Sequence, residues 1–148
     1  MTAISRSALV PYSARAMFEL VEDVDRYKEF LPLCVDSGIL SRNGDESKAY
    51  VTIAKGGISK SFTTLNRAQP GKMLEIRLVE GPFRRLDGYW RFQRLRDDAS
   101  KVSLDLEFEF SNALVRMAFG RVFNELANRL VDSFVKRAEQ IYGRPEEK

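Results

Sequence analysis

The sequence predicts an α+β fold: a curved seven-stranded antiparallel sheet wrapped around one long C-terminal helix, with two short helices after the first strand. Three observations carry this. The last thirty or so residues hold one uninterrupted helical period of apolar side chains. Six strand-like segments precede them, separated by turn-forming pairs. Two short helical stretches stand between the first strand and those six.

Residues Ala3 to Val10 read as a strand that Pro11 ends, and Ser13 is a good N-cap for a helix starting at Ala14. Met17, Leu20, Val21 and Val24 then recur at helical spacing, with Tyr12 placed to staple against Met17. This helix is short and ends near Asp23. Asp25 is placed to cap a second short helix, Arg26 to Phe30, which Pro32 halts because the residue before a proline is pushed to extended backbone. Strands come next, near 34–43, 46–55, 58–68, 72–80, 84–96 and 100–111. Their breaks have turn chemistry: Asn43-Gly44, Gly56-Gly57, Pro70-Gly71, Gly81-Pro82 and Asp97-Asp98. Connections this short make neighbours pair antiparallel, as a meander.

Alternation assigns the faces. Val102, Leu104, Leu106, Phe108 and Phe110 share one side of the last strand, opposite Ser103, Asp105, Glu107 and Glu109. One strand earlier Leu86, Trp90 and Phe92 lie together with Gly88, opposite Arg85, Asp87, Tyr89 and Arg91. The sheet therefore has one apolar and one charged side. The closing helix, about Ala113 to Tyr142, carries Val115, Phe119, Val122, Phe123, Leu126, Leu130, Phe134 and Ile141 at the 3.6 period. Gly143 and Pro145 stop it, and residues 144–148 are expected to fray beyond a single domain of 1–143. At 1.5 Å per residue the helix spans roughly 45 Å, enough to cross the whole sheet.

Composition narrows the chemistry. The chain has 148 residues with a formal net charge of +3, a balance ordinary for one globular domain. No apolar run reaches the ~20 residues needed to span a bilayer. The first ten residues lack the apolar stretch of a signal peptide, so a cytoplasmic location is the default expectation. The single cysteine, Cys34, excludes an internal disulfide and fits a reducing compartment. Histidine is absent, which removes the commonest general base and metal ligand. No metal site and no cofactor requirement are read from the sequence, and the pattern specifies no oligomeric state. Among carboxylates, Glu107 and Glu109 are the best catalytic pair, but both point outward beside arginines; Asp87 is a lone acid. No catalytic set is assigned.

Two kinds of site remain. A strongly curved sheet cannot close on a helix everywhere, and the gap is a natural cavity for a hydrophobic small molecule, gated by the short helices. Its candidate lining is Phe62, Leu74, Ile76, Leu78, Trp90, Phe92, Phe108, Phe119, Phe123 and Leu126, with Phe30 and Leu31 at the mouth. The same residues also suit a filled core, because periodicity gives a face and not a depth. The second candidate is cationic. Between Gly81 and Arg96 five arginines face one acid, Asp87. Such a stripe serves RNA or peripheral contact with an anionic membrane, or is a solvated face neutralised by acids on the next strand.

Pro11-Tyr12-Ser13-Ala14 leading into Met17-Phe18-Glu19-Leu20-Val21, then Asp23-Val24 and Phe30-Leu31-Pro32, resembles the opening of the coenzyme Q-binding START-domain family, within the polyketide cyclase/dehydrase-like group. The block Val79-Glu80-Gly81-Pro82-Phe83-Arg84-Arg85-Leu86 with Gly88, Trp90 and Phe92 is similar to that family's most recognisable segment, and Phe108-Glu109-Phe110 before a long helix matches its ending. The segments 57–64 and 118–123 resemble its bacterial branch of ribosome association toxins. The family resemblance implies a helix-grip fold whose tunnel holds ubiquinone or a similar polyprenyl quinone in support of respiration, without enzymatic activity. The branch resemblance implies the alternative: a toxin, in a toxin–antitoxin pair, that binds the large ribosomal subunit and blocks its joining with the small one, and so translation initiation.

Each reading names residues. Burying about ten methylenes of an isoprenoid tail contributes roughly 8 kcal/mol, adequate for binding without any acid or base. Tyr12 or Tyr27 can then donate to a quinone oxygen at the mouth, or keep its hydroxyl in water. For the ribosome or an anionic surface the candidates are Lys55, Lys60, Arg84, Arg85 and Arg91, with Gly56-Gly57 presenting the first two on a hairpin tip.

Overall fold

The computed structural model describes residues 2–143. Strand β1 (Thr2–Val10) leads into helix α1 (Ala14–Glu22), a 3₁₀ turn (Val24–Arg26) and helix α2 (Tyr27–Phe30). Strands β2 (Cys34–Asn43), β3 (Glu46–Lys55), β4 (Ile58–Gln69), β5 (Met73–Glu80), β6 (Phe83–Arg96) and β7 (Ala99–Phe110) precede helix α3 (Ala113–Tyr142). All seven strands form one antiparallel sheet in the order β1-β7-β6-β5-β4-β3-β2. The six predicted strands pair as the expected meander. β1 closes the far edge by pairing with β7, Ile4 opposite Leu106.

Local chemistry explains the boundaries. The Ser13 hydroxyl oxygen accepts the Ala16 N–H at 3.0 Å, and Asn112 does the same for Val115 at 2.8 Å at the start of α3. Gly143, at φ 75°, ends α3 by donating its N–H to the Glu139 carbonyl. The cap assigned to Asp25 is corrected. Asp25 sits inside the 3₁₀ turn, and its carboxylate accepts the Ile39 N–H at 2.8 Å, tying the short helices to β2. A backbone N–H of edge strand β2 was the stronger claim on that carboxylate. The expected fraying of 144–148 lies outside the described residues.

Curvature comes from breaks in register, at Cys34/Asp36, Ile39/Ser41, Thr63/Thr64, Phe83/Arg85 and Arg94/Arg96. Gly81 marks the tightest approach: an added Cβ there would lie 2.6 Å from the Phe62 Cβ, so only glycine fits. The predicted faces hold. Trp90, Phe92, Val102, Leu104, Phe108 and Phe110 are buried beneath α3, whose own Phe119, Phe123, Leu126 and Phe134 point back at them.

Candidate functional site

Under α3 the aromatic side chains gather at two places. Near its start, Phe119 and Phe123 meet Phe83, Phe108 and Phe110 with ring centroids 4.8–6.4 Å apart. Near its end, Phe134 lies 5.3 Å from the rings of Trp90, Tyr27 and Phe30. Between the two clusters is a cavity of about 90 Å³. Leu86, Trp90 and Leu106 form its floor, and Ala49, Val51, Phe62, Thr64, Asn66 and Ile76 one wall. Phe123, Leu126, Ala127, Leu130 and Phe134 roof it, and Val24, Tyr27 and Leu31 cover the side.

Six of the twelve candidate lining residues therefore meet at this space: Leu31, Phe62, Ile76, Trp90, Phe123 and Leu126. The other six lie elsewhere. Phe108 and Phe119 are fully buried in the first cluster. Phe92 packs edge-on against Phe18 of α1 at 5.6 Å. Leu74 is core, and Leu78 lies against Gly81 and Phe62. Phe30 is not at a mouth: it backs Phe134 from outside, beneath the Arg137 guanidinium at 4.8 Å. Arg137 also pairs with Glu29 at 2.9 Å, which latches α2 to α3.

Neither tyrosine behaves as expected. Tyr12 donates its hydroxyl to the Gly143 carbonyl at 2.6 Å, and Tyr27 donates to the Val21 carbonyl. Both hydroxyls serve the backbone, and neither is left for a quinone oxygen or for bulk water. Burial pushes the Tyr27 phenol well above its ordinary range, with Asp23 adding to it. Polar side chains of the cavity come from β4, where Thr64 donates its hydroxyl to the Asn66 side-chain carbonyl at 2.8 Å, and the Trp90 indole of β6 also lines it. Alternation puts both on the inner face, but being polar they carry no hydrophobic signal.

On the outer face the arginine stripe is neutralised. Arg85 pairs with Asp87 at 2.6 Å and Glu107 at 3.9 Å, Arg84 with Glu109 at 3.8 Å and Arg91 with Asp105 at 3.2 Å. This accounts for Glu107, Glu109 and Asp87 as ion-pair partners. Lys55 reaches Glu125 of α3 at 2.8 Å, and that contact holds the Glu125 carboxyl below its usual range. Lys60 alone of the five candidates has no carboxylate within 4.0 Å among the described residues. Arg116 and Arg121 on α3 share that condition and were not singled out from the sequence; both are exposed. The same helix exposes Leu114 and Met117, 76% and 80%. Cys34 is buried, its thiol donates to the Asp36 carbonyl, and burial raises it above the ordinary thiol range.

A curved antiparallel sheet gripping one long helix over a small apolar cavity defines the helix-grip class. The model of the family described as polyketide cyclase / dehydrase and lipid transport matches residues 10–135. The ribosome association toxin RatA of Vibrio cholerae is 50% identical over 143 residues, 97% of this chain and 99% of that one. The chain belongs to the polyketide cyclase / dehydrase and lipid transport family and, within it, to the RatA group. It is also similar to the mitochondrial coenzyme Q-binding protein coq10 of Schizosaccharomyces pombe, 26% identical across 90% of this chain and 84% of that one. Among solved structures, the Zhui aromatase/cyclase of Streptomyces sp. R1128 superposes with a TM-score of 0.83, covering 98% of this chain and 97% of that one at 17% identity, a likeness of fold alone. No helix among the described residues is long and apolar enough to cross a membrane.

Proposed function

We propose that this protein acts on the ribosome without chemistry of its own, binding the large subunit and blocking its union with the small one. The observation that carries this is the 50% identity to ribosome association toxin RatA along nearly the whole of both chains. The order of the two readings made from sequence is thereby reversed. The contact surface is assigned to Lys60, Arg116 and Arg121, three of the exposed cations that no acid neutralises among the described residues. Such a surface meets RNA through phosphates, so affinity falls steeply with salt. The test is gradient sedimentation of purified subunits with and without the protein. Excess protein should leave subunits unjoined, and the triple variant Lys60→Glu, Arg116→Glu, Arg121→Glu should restore joining while its thermal midpoint stays near the parent's. Full joining in the presence of excess parent protein would sink the reading.

A second reading, binding of a hydrophobic small molecule such as a quinone, is supported by the cavity and by the likeness to coq10. Small-molecule pockets run to about 300–1,000 Å³, against about 90 Å³ here. The cavity as it stands therefore has room for part of a polyprenyl quinone at most.

A further inference from the structure

We infer that Asn66 is the polar anchor of whatever enters the cavity, and that the occupant is a ring-sized apolar group bearing a hydrogen-bond-accepting oxygen. This rests on the small-molecule reading and is independent of the ribosome. Asn66 is 5% exposed and Trp90 2% exposed, and both line the cavity. The Thr64 hydroxyl holds the Asn66 carbonyl oxygen at 2.8 Å, which fixes the amide and turns its nitrogen away from Thr64. Neither that nitrogen nor the Trp90 indole nitrogen has a hydrogen-bond partner among the described residues. Yet no side-chain nitrogen or oxygen among those residues is sealed from solvent without a partner. Each donor therefore keeps some accessible surface, and both residues line the cavity.

Two donors facing an otherwise apolar chamber set the ligand's chemistry. A hydrocarbon would strip both of water and return nothing, whereas a carbonyl oxygen has lone pairs for them. Volume sets the size. The cavity, about 90 Å³, is smaller than the roughly 150 Å³ apolar cavity known to take up benzene. The walls must yield slightly for even one ring.

The experiment titrates ¹⁵N-labelled protein with cyclohexanone and with methylenecyclohexane, which have the same shape and differ in the oxygen. Both should shift backbone signals of cavity residues such as Val51 and Ala127. Only the ketone should move the Asn66 side-chain amide signals, which the unaltered protein reports directly. In Asn66→Leu the ketone-to-hydrocarbon affinity ratio should fall by roughly fivefold or more, the worth of one net hydrogen bond. If neither probe shifts the cavity signals, the small-molecule reading fails and this assignment with it. If the hydrocarbon binds while the ketone leaves the Asn66 amide unmoved, or the ratio survives in Asn66→Leu, the cavity reading stands and the role of Asn66 is overturned.

Discussion

The space under α3 is built along its whole length from the same sheet and the same helix, yet the stretch at the helix start is solid and the stretch between it and the Phe134 cluster is hollow. At the helix start, Phe83, Phe108, Phe110, Phe119 and Phe123 fill each other's gaps edge to face. Toward its end the facing positions shrink to Ala49 and Ala127, Gly88 takes a place on the inner face of β6, and two polar side chains enter on β4. Side-chain size, not a change in backbone architecture, decides where the grip encloses space. The first stretch is packed for stability, and the second is where the packing leaves room.

The largest test of that division is truncation. Phe119→Ala removes a ring that is 0% exposed from the solid cluster. It should cost about 3–5 kcal/mol, because neighbours already in contact cannot collapse into the gap. The opposite change at the hollow end, Ala127→Val, should leave stability within about 1 kcal/mol of the parent, since the added methyls enter existing space and offset the poorer helix propensity of valine. Chemical denaturation of the two variants reads both. Equal losses would mean that the cavity is as tightly packed as the cluster.

Much of this was readable from residue order. The 3.6 period placed α3 at Ala113–Tyr142, as observed, and alternation placed Trp90, Phe92, Phe108 and Phe110 on the inner face but missed Phe83, because the strand reads as starting one residue later. Depth was not readable. Phe108 and Trp90 occupy equivalent inward positions, and only the residues across from them, on other strands and on α3, decide which one borders a void. Partners distant in sequence also explain the misplaced polar groups. Asp25 serves Ile39 and Tyr12 serves Gly143, contacts that no local pattern encodes.

Raising the pH should weaken the hollow end first. Tyr27 covers the cavity and Cys34 lies just beyond the short helices, and burial lifts both above their ordinary values. Those values are about 8.5 for a thiol and about 10 for a phenol. The unfolded chain thus releases these protons before the folded one does. Their stabilisation is complete below the unfolded values and is lost as pH climbs from about 8.5 past 10 toward the folded ones. Thermal midpoints measured from pH 7 to 11 should fall over that range. In Tyr27→Phe the midpoint at pH 7 should be lower, reflecting about 1 kcal/mol for the lost bond to Val21, and the alkaline decline shallower. An unchanged slope would show that the phenol does not couple the cavity cover to the fold.

The smallest effect belongs to the outer face, where Arg91 and Asp105 stand 3.2 Å apart and half exposed. Each loses little by returning to water, so Arg91→Ala should cost below about 1 kcal/mol, and less in high salt. Stability therefore does not separate the stripe from the cations proposed to meet the ribosome; the subunit-joining assay does. If Arg91→Ala proved nearly silent in stability yet abolished the block on subunit joining, the contact surface would have to be moved from Lys60 and α3 to the outer face of β6. A paired arginine would then be exchanging its carboxylate for a phosphate on binding, and the absence of an acid partner would lose its value as the mark of the interface.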